Sequence, residues 1–173
     1  MTDARNRADL TAILRRLPRG AGVVLRDGEL GREARRRQFR AVAAVAARRG
    51  LVLLVAGPAI RGDWRAQGRH NSRRTDRPLR SRSVHDAGEA SRARAAGADL
   101  CFVSPVFATR SHPGARPIGR WGFVRLARLA GGMTIALGGI TARRMKRLAG
   151  LGADGWAAID GLNANQNLKA VPT

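Results

Sequence analysis

The chain has 173 residues, 44% of them apolar and 26% charged, and its 33 basic against 12 acidic side chains give a net charge of +21. That length supports one sizeable core, read as a single domain over residues 1–173, and the composition is that of a folded polypeptide. A lone cysteine, Cys101, excludes an intrachain disulfide and a thiolate-rich zinc or iron–sulfur site. No apolar run is long enough to cross a bilayer and "MTDARNRADL" lacks the apolar segment of a secretory signal, so a cytoplasmic location is expected.

The charge invites a nucleic-acid reading. Arginine is, however, spread along the whole chain, only Lys146 and Lys169 are lysines, and tyrosine is absent, leaving few rings to stack on bases. Specific nucleic-acid binding is therefore not expected, and the densest basic stretch, "HNSRRTDRPLRSR" (70–82), reads as a solvated loop. A non-catalytic basic module that recruits an acidic partner or RNA stands as the alternative from another class, its signature being an affinity that falls steeply with salt.

In chain order the elements alternate. "AGVVLR" (21–26) reads as a strand, and residues 32–49 as a helix with Phe39, Val42, Ala43 and Ala46 on one face. "LVLLVA" (51–56) is a continuous apolar run of strand length, as found in parallel sheets covered on both faces. Residues 57–78 are irregular apart from a short strand around 68–70. A strand at 79–84, a helix at 87–96, a strand at 99–104, a helix at 120–130, a strand at 133–137, a helix at 142–150 and a strand at 155–159 follow. "ARAAGADLCFVSPV" and "RLAGLGADGWAAID" form a weak repeat, in which Gly97 and Gly152 end a helix and Asp99 and Asp154 steer the turn into the next strand. Short connections between parallel strands need right-handed helical crossovers, which build either an open doubly wound sheet or a closed (β/α)₈ barrel. Seven strands are counted, and "MTD" reads as the tail of another whose beginning is missing.

In a barrel the working residues follow the carboxyl ends of the strands. His70, His85 and His112 all do so, as do the glycine-rich "ALGGIT" (136–141), with Gly138 and Gly139, and "AIDGLN" (158–163). Loops of that kind cradle phosphate through converging backbone N–H groups, or they are plain turns. Asp86 and Glu89 behind His85 form a capping box, setting the imidazole at the positive end of a helix, where a neutral ring serves as acid and base. A merely hydrogen-bonded loop histidine fits that position equally well. The long loop 104–119 carries Thr109, Ser111 and His112, able to hold a polar ligand, or it is an ordinary surface lid stiffened by Pro113 and Pro117.

"RSVHDAGEASRARAAGADLCFVSPVFATRSHPGARPIG" (82–119), followed by "ALGGIT" and "GADGWAAID", resembles the superfamily of thiamine phosphate synthase and thiazole tautomerase, from about Arg82 to Asp160. The resemblance implies an α/β fold, a (β/α)₈ TIM-type barrel, here shortened at its N-terminal first strand. The synthases join a hydroxymethylpyrimidine diphosphate to a thiazole phosphate with the help of magnesium. Of their Gln-x-Arg-x-Lys pattern, "VLRDG" keeps Arg26 but has Val24 and Gly28 at the outer positions. Their metal-binding Asn-Asp pair falls at Ala56 and Gly57, which cannot coordinate, a second acidic ligand is replaced within "HNSRRT", and the loop lysine is replaced by His112. No metal ligands and no cofactor are therefore expected, magnesium entering only if the synthase reaction is retained.

The tautomerases isomerise a thiazole carboxylate phosphate to its aromatic form, and their acid/base histidine falls in a Ser-Val-His segment matched by Ser83, Val84 and His85. By the same resemblance Thr109 and Ser111 are thiazole-phosphate contacts, Gly138 and Gly139 the phosphate loop, and Asp160 stands where the family usually has serine. The expected site is thus catalytic His85 with Arg26, Ser83, Thr109, Ser111, His112, Gly138, Gly139 and Asp160 around a small phosphorylated thiazole. The synthase proper is the second reading, and a homodimer fits either.

Overall fold

The computed structural model describes residues 1–4, 7–58, 65–73, 78–109 and 114–159. These group into two compact units, Met1–Leu79 and Arg80–Gly161, each with its own core.

The first unit holds α1 (Leu10–Arg16), β1 (Gly22–Leu25), α2 (Arg32–Arg49), β2 (Val52–Ala56) and β3 (Gly68–His70). β1 lies parallel to β2 in the register Gly22 with Val52 through Leu25 with Val55, and β2 lies parallel to β3 from Leu54 with Gly68 to Ala56 with His70. Val23, Val24 and Leu25 are all buried, as are Leu53, Leu54 and Val55, so these strands have no wet face. That is why they read as unbroken apolar runs rather than alternating ones. α2 lays Phe39, Val42, Ala43 and Ala46 against them, the stripe expected from helical spacing. α1 is an addition that the strand–helix alternation did not predict. Its Leu10, Ile13 and Leu14 are buried, and with Leu17 they carry the three- and four-residue spacing that makes one helical face. Beside β1, the Thr2 N–H donates to the Val24 carbonyl at 2.9 Å and the Arg26 N–H to the Thr2 hydroxyl at 2.8 Å, but residues 1–3, where "MTD" reads as the tail of a strand, form no strand.

The second unit contains the rest of β4 (Leu79–Val84), then α3 (Ala87–Ala95), β5 (Leu100–Val103), α4 (Gly119–Ala130), β6 (Met133–Leu137), α5 (Ala142–Ala149) and β7 (Gly155–Ala157). All four strands run parallel and pair in chain order, Ser81 opposite Leu100, Leu100 opposite Met133 and Ile135 opposite Gly155. Val84, Cys101, Val103 and Ala136 from the strands meet Ala90, Phe123, Leu126 and Leu148 from the helices in the core. No described helix is long and apolar enough to cross a membrane.

The sequence repeat is a structural one. Gly97 (φ 59°) and Gly152 (φ 90°) both occupy the left-handed region at the turn. Asp99 then accepts the Arg80 N–H on its side chain at 2.7 Å while its own N–H donates to the Arg80 carbonyl at 2.8 Å. Asp154 does the same to Thr134, at 2.7 and 3.0 Å. Each aspartate thereby brackets the start of the preceding strand to the start of its own. One expectation narrows: His70 is a buried strand residue and Leu79–Arg82 lies within β4, so the basic stretch 70–82 is not a solvated loop at its ends.

Candidate active site

His85 follows β4 directly and precedes Asp86, the N-cap of α3. Asp86 Oδ1 accepts the Glu89 N–H at 2.7 Å, the expected half of the capping box. Glu89 reaches back one residue beyond the cap: its Oε2 accepts the His85 N–H at 2.8 Å and stands 2.7 Å from the His85 ring Nδ1. An ionised carboxylate can only accept, so Nδ1 carries a proton and, in the neutral ring, Nε2 is the nitrogen with the lone pair. The side chain is half exposed, at 52%.

The loop after β6 turns through Gly138 (φ 92°) and Gly139 (φ 60°). Here glycine is required, because a Cβ on Gly138 would sit 2.9 Å from the Pro105 Cα and one on Gly139 would overlap the Ala108 carbonyl oxygen. Val106 donates to the Leu137 carbonyl at 2.9 Å and Phe107 to that of Gly138 at 3.1 Å, so the loops after β5 and β6 are laced together by backbone bonds. Arg144, in the first turn of α5, donates to the Gly139 carbonyl at 2.6 Å and lies 4.7 Å over the Phe107 ring. Its N–H is capped by the Thr141 hydroxyl at 3.3 Å. Ser83 and Thr109 are half-buried residues of β4 and of the loop after β5, both in this unit. Ser111, His112 and Asp160 lie outside the described residues.

Arg26 belongs to the other unit, exposed just past β1. Its neighbour Asp27 is fully buried, and Asp27 Oδ1 accepts from Arg35 Nε at 2.8 Å. The same guanidinium donates to the Ala56 carbonyl at 2.5 Å and the Pro58 carbonyl at 2.8 Å. Asp27 Oδ2 is buried with no hydrogen-bond partner among the described residues. Burial pushes the Asp27 carboxyl up from its ordinary value, and the Arg35 guanidinium pulls against that. This corner, at the end of β2, is where the resemblance places a magnesium ligand pair. The residues do not fit the ion: Ala56 and Gly57 offer no side-chain oxygen, and the Ala56 carbonyl faces a guanidinium that would repel a dication. Among the described residues no three carboxylate, imidazole or thiol groups converge as a metal set.

Three contacts are not legible from the sequence motifs: the Glu89 contact with the imidazole ring, the Arg144 guanidinium on the glycine loop, and the Asp27–Arg35 pair. The last had a visible signal. Arg35 lies four residues before Phe39 on the buried stripe of α2, and a cation on such a stripe demands a partner.

The sequence profile of the thiamine monophosphate synthase family matches residues 1–162. A protein of Aquifex aeolicus (strain VF5), provisionally assigned as thiamine-phosphate synthase 2, is 39% identical over 77 residues; the match spans 44% of this chain and 41% of that protein. The thiamine phosphate pyrophosphorylase of Pyrococcus furiosus superposes with a TM-score of 0.73 at 19% identity, over 95% of this chain and 86% of that one. That of Bacteroides thetaiotaomicron gives 0.59 at 18% identity, over 97% and 87%. At such identities the structural likeness establishes the fold, an α/β architecture of TIM type, and the profile establishes the lineage. The chain belongs to the thiamine monophosphate synthase family.

Proposed function

We propose that the chain is a divergent enzyme of thiamine biosynthesis that binds a thiazole phosphate and moves a proton on it through His85, as a thiazole tautomerase does. The supporting observation is a contrast within the fold. The end of β4 presents a half-exposed histidine with one ring nitrogen held, whereas Ala56 and Gly57 at the end of β2 bring no side-chain ligand for a magnesium ion.

Isomerisation needs one C–H proton removed and one returned elsewhere, with no leaving group. A single imidazole performs both steps, Nε2 taking the proton and giving it back. The glycine loop after β6 supplies backbone approach for the phosphate, with Arg144 beside it as a cation. Ser83, Thr109, Ser111, His112 and Asp160 complete the ligand contacts that the family resemblance implies. His85→Ala is expected to lower turnover by roughly a hundredfold or more while leaving affinity for the thiazole phosphate near wild type. Unchanged turnover would remove His85 from the mechanism.

The family's own description favours a second reading, the magnesium-dependent synthase. Incubation with hydroxymethylpyrimidine diphosphate, thiazole phosphate and magnesium separates the two. Robust thiamine phosphate formation overturns the tautomerase reading, and none at all supports it.

A further inference from the structure

We infer that Glu89 is the positioning residue for His85, holding the imidazole as its Nδ1–H tautomer so that Nε2 is the atom that takes and returns the proton. The tautomer assignment stands on the geometry of this chain alone. Its use in proton transfer rests on the function proposed above.

Two donors of one residue converge on a single Glu89 oxygen: the His85 backbone N–H at 2.8 Å and the ring Nδ1 at 2.7 Å. Main chain and ring are therefore fixed together, which limits the rotation of the ring about its own side-chain bonds. Glu89 is itself placed by the first turn of α3, a helix that runs on to Ala95. The hydrogen bond made by one ring nitrogen decides which nitrogen bears the proton, and here the acceptor is a carboxylate. In the reaction a substrate C–H bond breaks, its proton forms a bond to Nε2, and the electron pair stays on the substrate. The imidazolium so formed faces the Glu89 carboxylate, which stabilises it without taking a proton. The same proton, or a solvent proton exchanged for it, is then delivered to the second carbon, leaving ring and substrate composition unchanged. No oxidant, metal or further reactant enters.

A purely structural role for Glu89, as the far half of a helix cap, predicts different behaviour. Asp86→Ala removes the other half of the same cap and touches no ring atom, so it is the control. Ring-nitrogen spectra of the intact, ligand-free protein, ¹⁵N-labelled on histidine and assigned with His85→Asn, read the tautomer directly. Wild type, Asp86→Ala and Glu89→Gln should show the neutral His85 ring protonated on Nδ1, since a carboxamide oxygen also accepts. Glu89→Ala should shift the ring toward the Nε2–H form. In turnover of the thiazole phosphate, Glu89→Ala should lose about tenfold to a hundredfold in kcat with KM little changed, and Glu89→Gln should recover part of that loss. An Nδ1–H tautomer that persists in Glu89→Ala overturns the inference. A Glu89-dependent tautomer in a protein that fails to isomerise the substrate upholds the positioning role and overturns the proposed function instead.

Discussion

Replacing Arg35 by alanine removes the guanidinium that holds Asp27 and the Ala56 and Pro58 carbonyls. Asp27 has no exposed surface, and its second oxygen already lacks a partner among the described residues, so the variant leaves a whole carboxylate buried without compensation. Breaking one side of a buried ion pair typically costs about 3–5 kcal/mol, because the stranded charge keeps its desolvation penalty. The two carbonyls contribute less, since Pro58 is exposed and water can reach it. For a chain of this size that loss lowers Tm by roughly 6–20 °C.

The pH dependence has a definite sign. Burial raises the folded-state pKa of Asp27, so the folded state binds its proton more tightly than the unfolded chain does. Its contribution to stability is most favourable at acidic pH and falls as pH rises from the unfolded value through the folded one. Without Arg35 the pull against that shift is gone, so the penalty at neutral pH grows. The deficit of Arg35→Ala relative to wild type should therefore shrink as pH falls from neutral into the acid range. Adding Asp27→Ala to Arg35→Ala should recover at least about 1 kcal/mol, the coupling expected of groups in contact. Urea unfolding followed by circular dichroism, on wild type, both single variants and the double, closes the cycle. A single Arg35→Ala loss below about 1 kcal/mol, or a double variant no more stable than Arg35→Ala, would refute this account of the pair.

Gly139→Ala must displace the Ala108 carbonyl and place alanine at φ 60°, and should lose about 2–4 kcal/mol in the same unfolding assay. Asp99→Ala and Asp154→Ala each remove one bracket at a partly solvated position, so each should cost about 1 kcal/mol, with thiazole-phosphate affinity unchanged by calorimetry. Cys101 is fully buried and burial pushes its thiol up, so a thiol reagent should find no reactive cysteine in the native protein and one equivalent after denaturation.

The alternation of strands and helices was legible because each element carries a period of its own. α2 runs over the residues expected from its apolar spacing, and β2 from its unbroken run. Strand ends were less legible: β5 and β7 stop one or two residues short of the apolar segments, where the chain turns into loops that remain partly buried. α1 was passed over because its apolar residues sit among arginines in a short segment, and its stability comes from packing on α2 rather than from propensity. At the site, the position of His85 and its capping box could be read from spacing, since those bonds are local. The Arg35 contacts could not, because Ala56 and Pro58 are more than twenty residues away and meet it only once β1, α2 and β2 have packed.

The aspartate brackets lie at the amino ends of β5 and β7, whereas His85, Gly138 and Gly139 follow the carboxyl ends of β4 and β6. In the second unit, framework and proposed chemistry thus occupy opposite rims of the same strands. Segments on the rim that carries His85 can be exchanged between relatives while the opposite rim keeps these strands aligned. In the first unit, Arg35 ties the carboxyl end of β2 to the buried Asp27, so exchange of that corner should cost stability there.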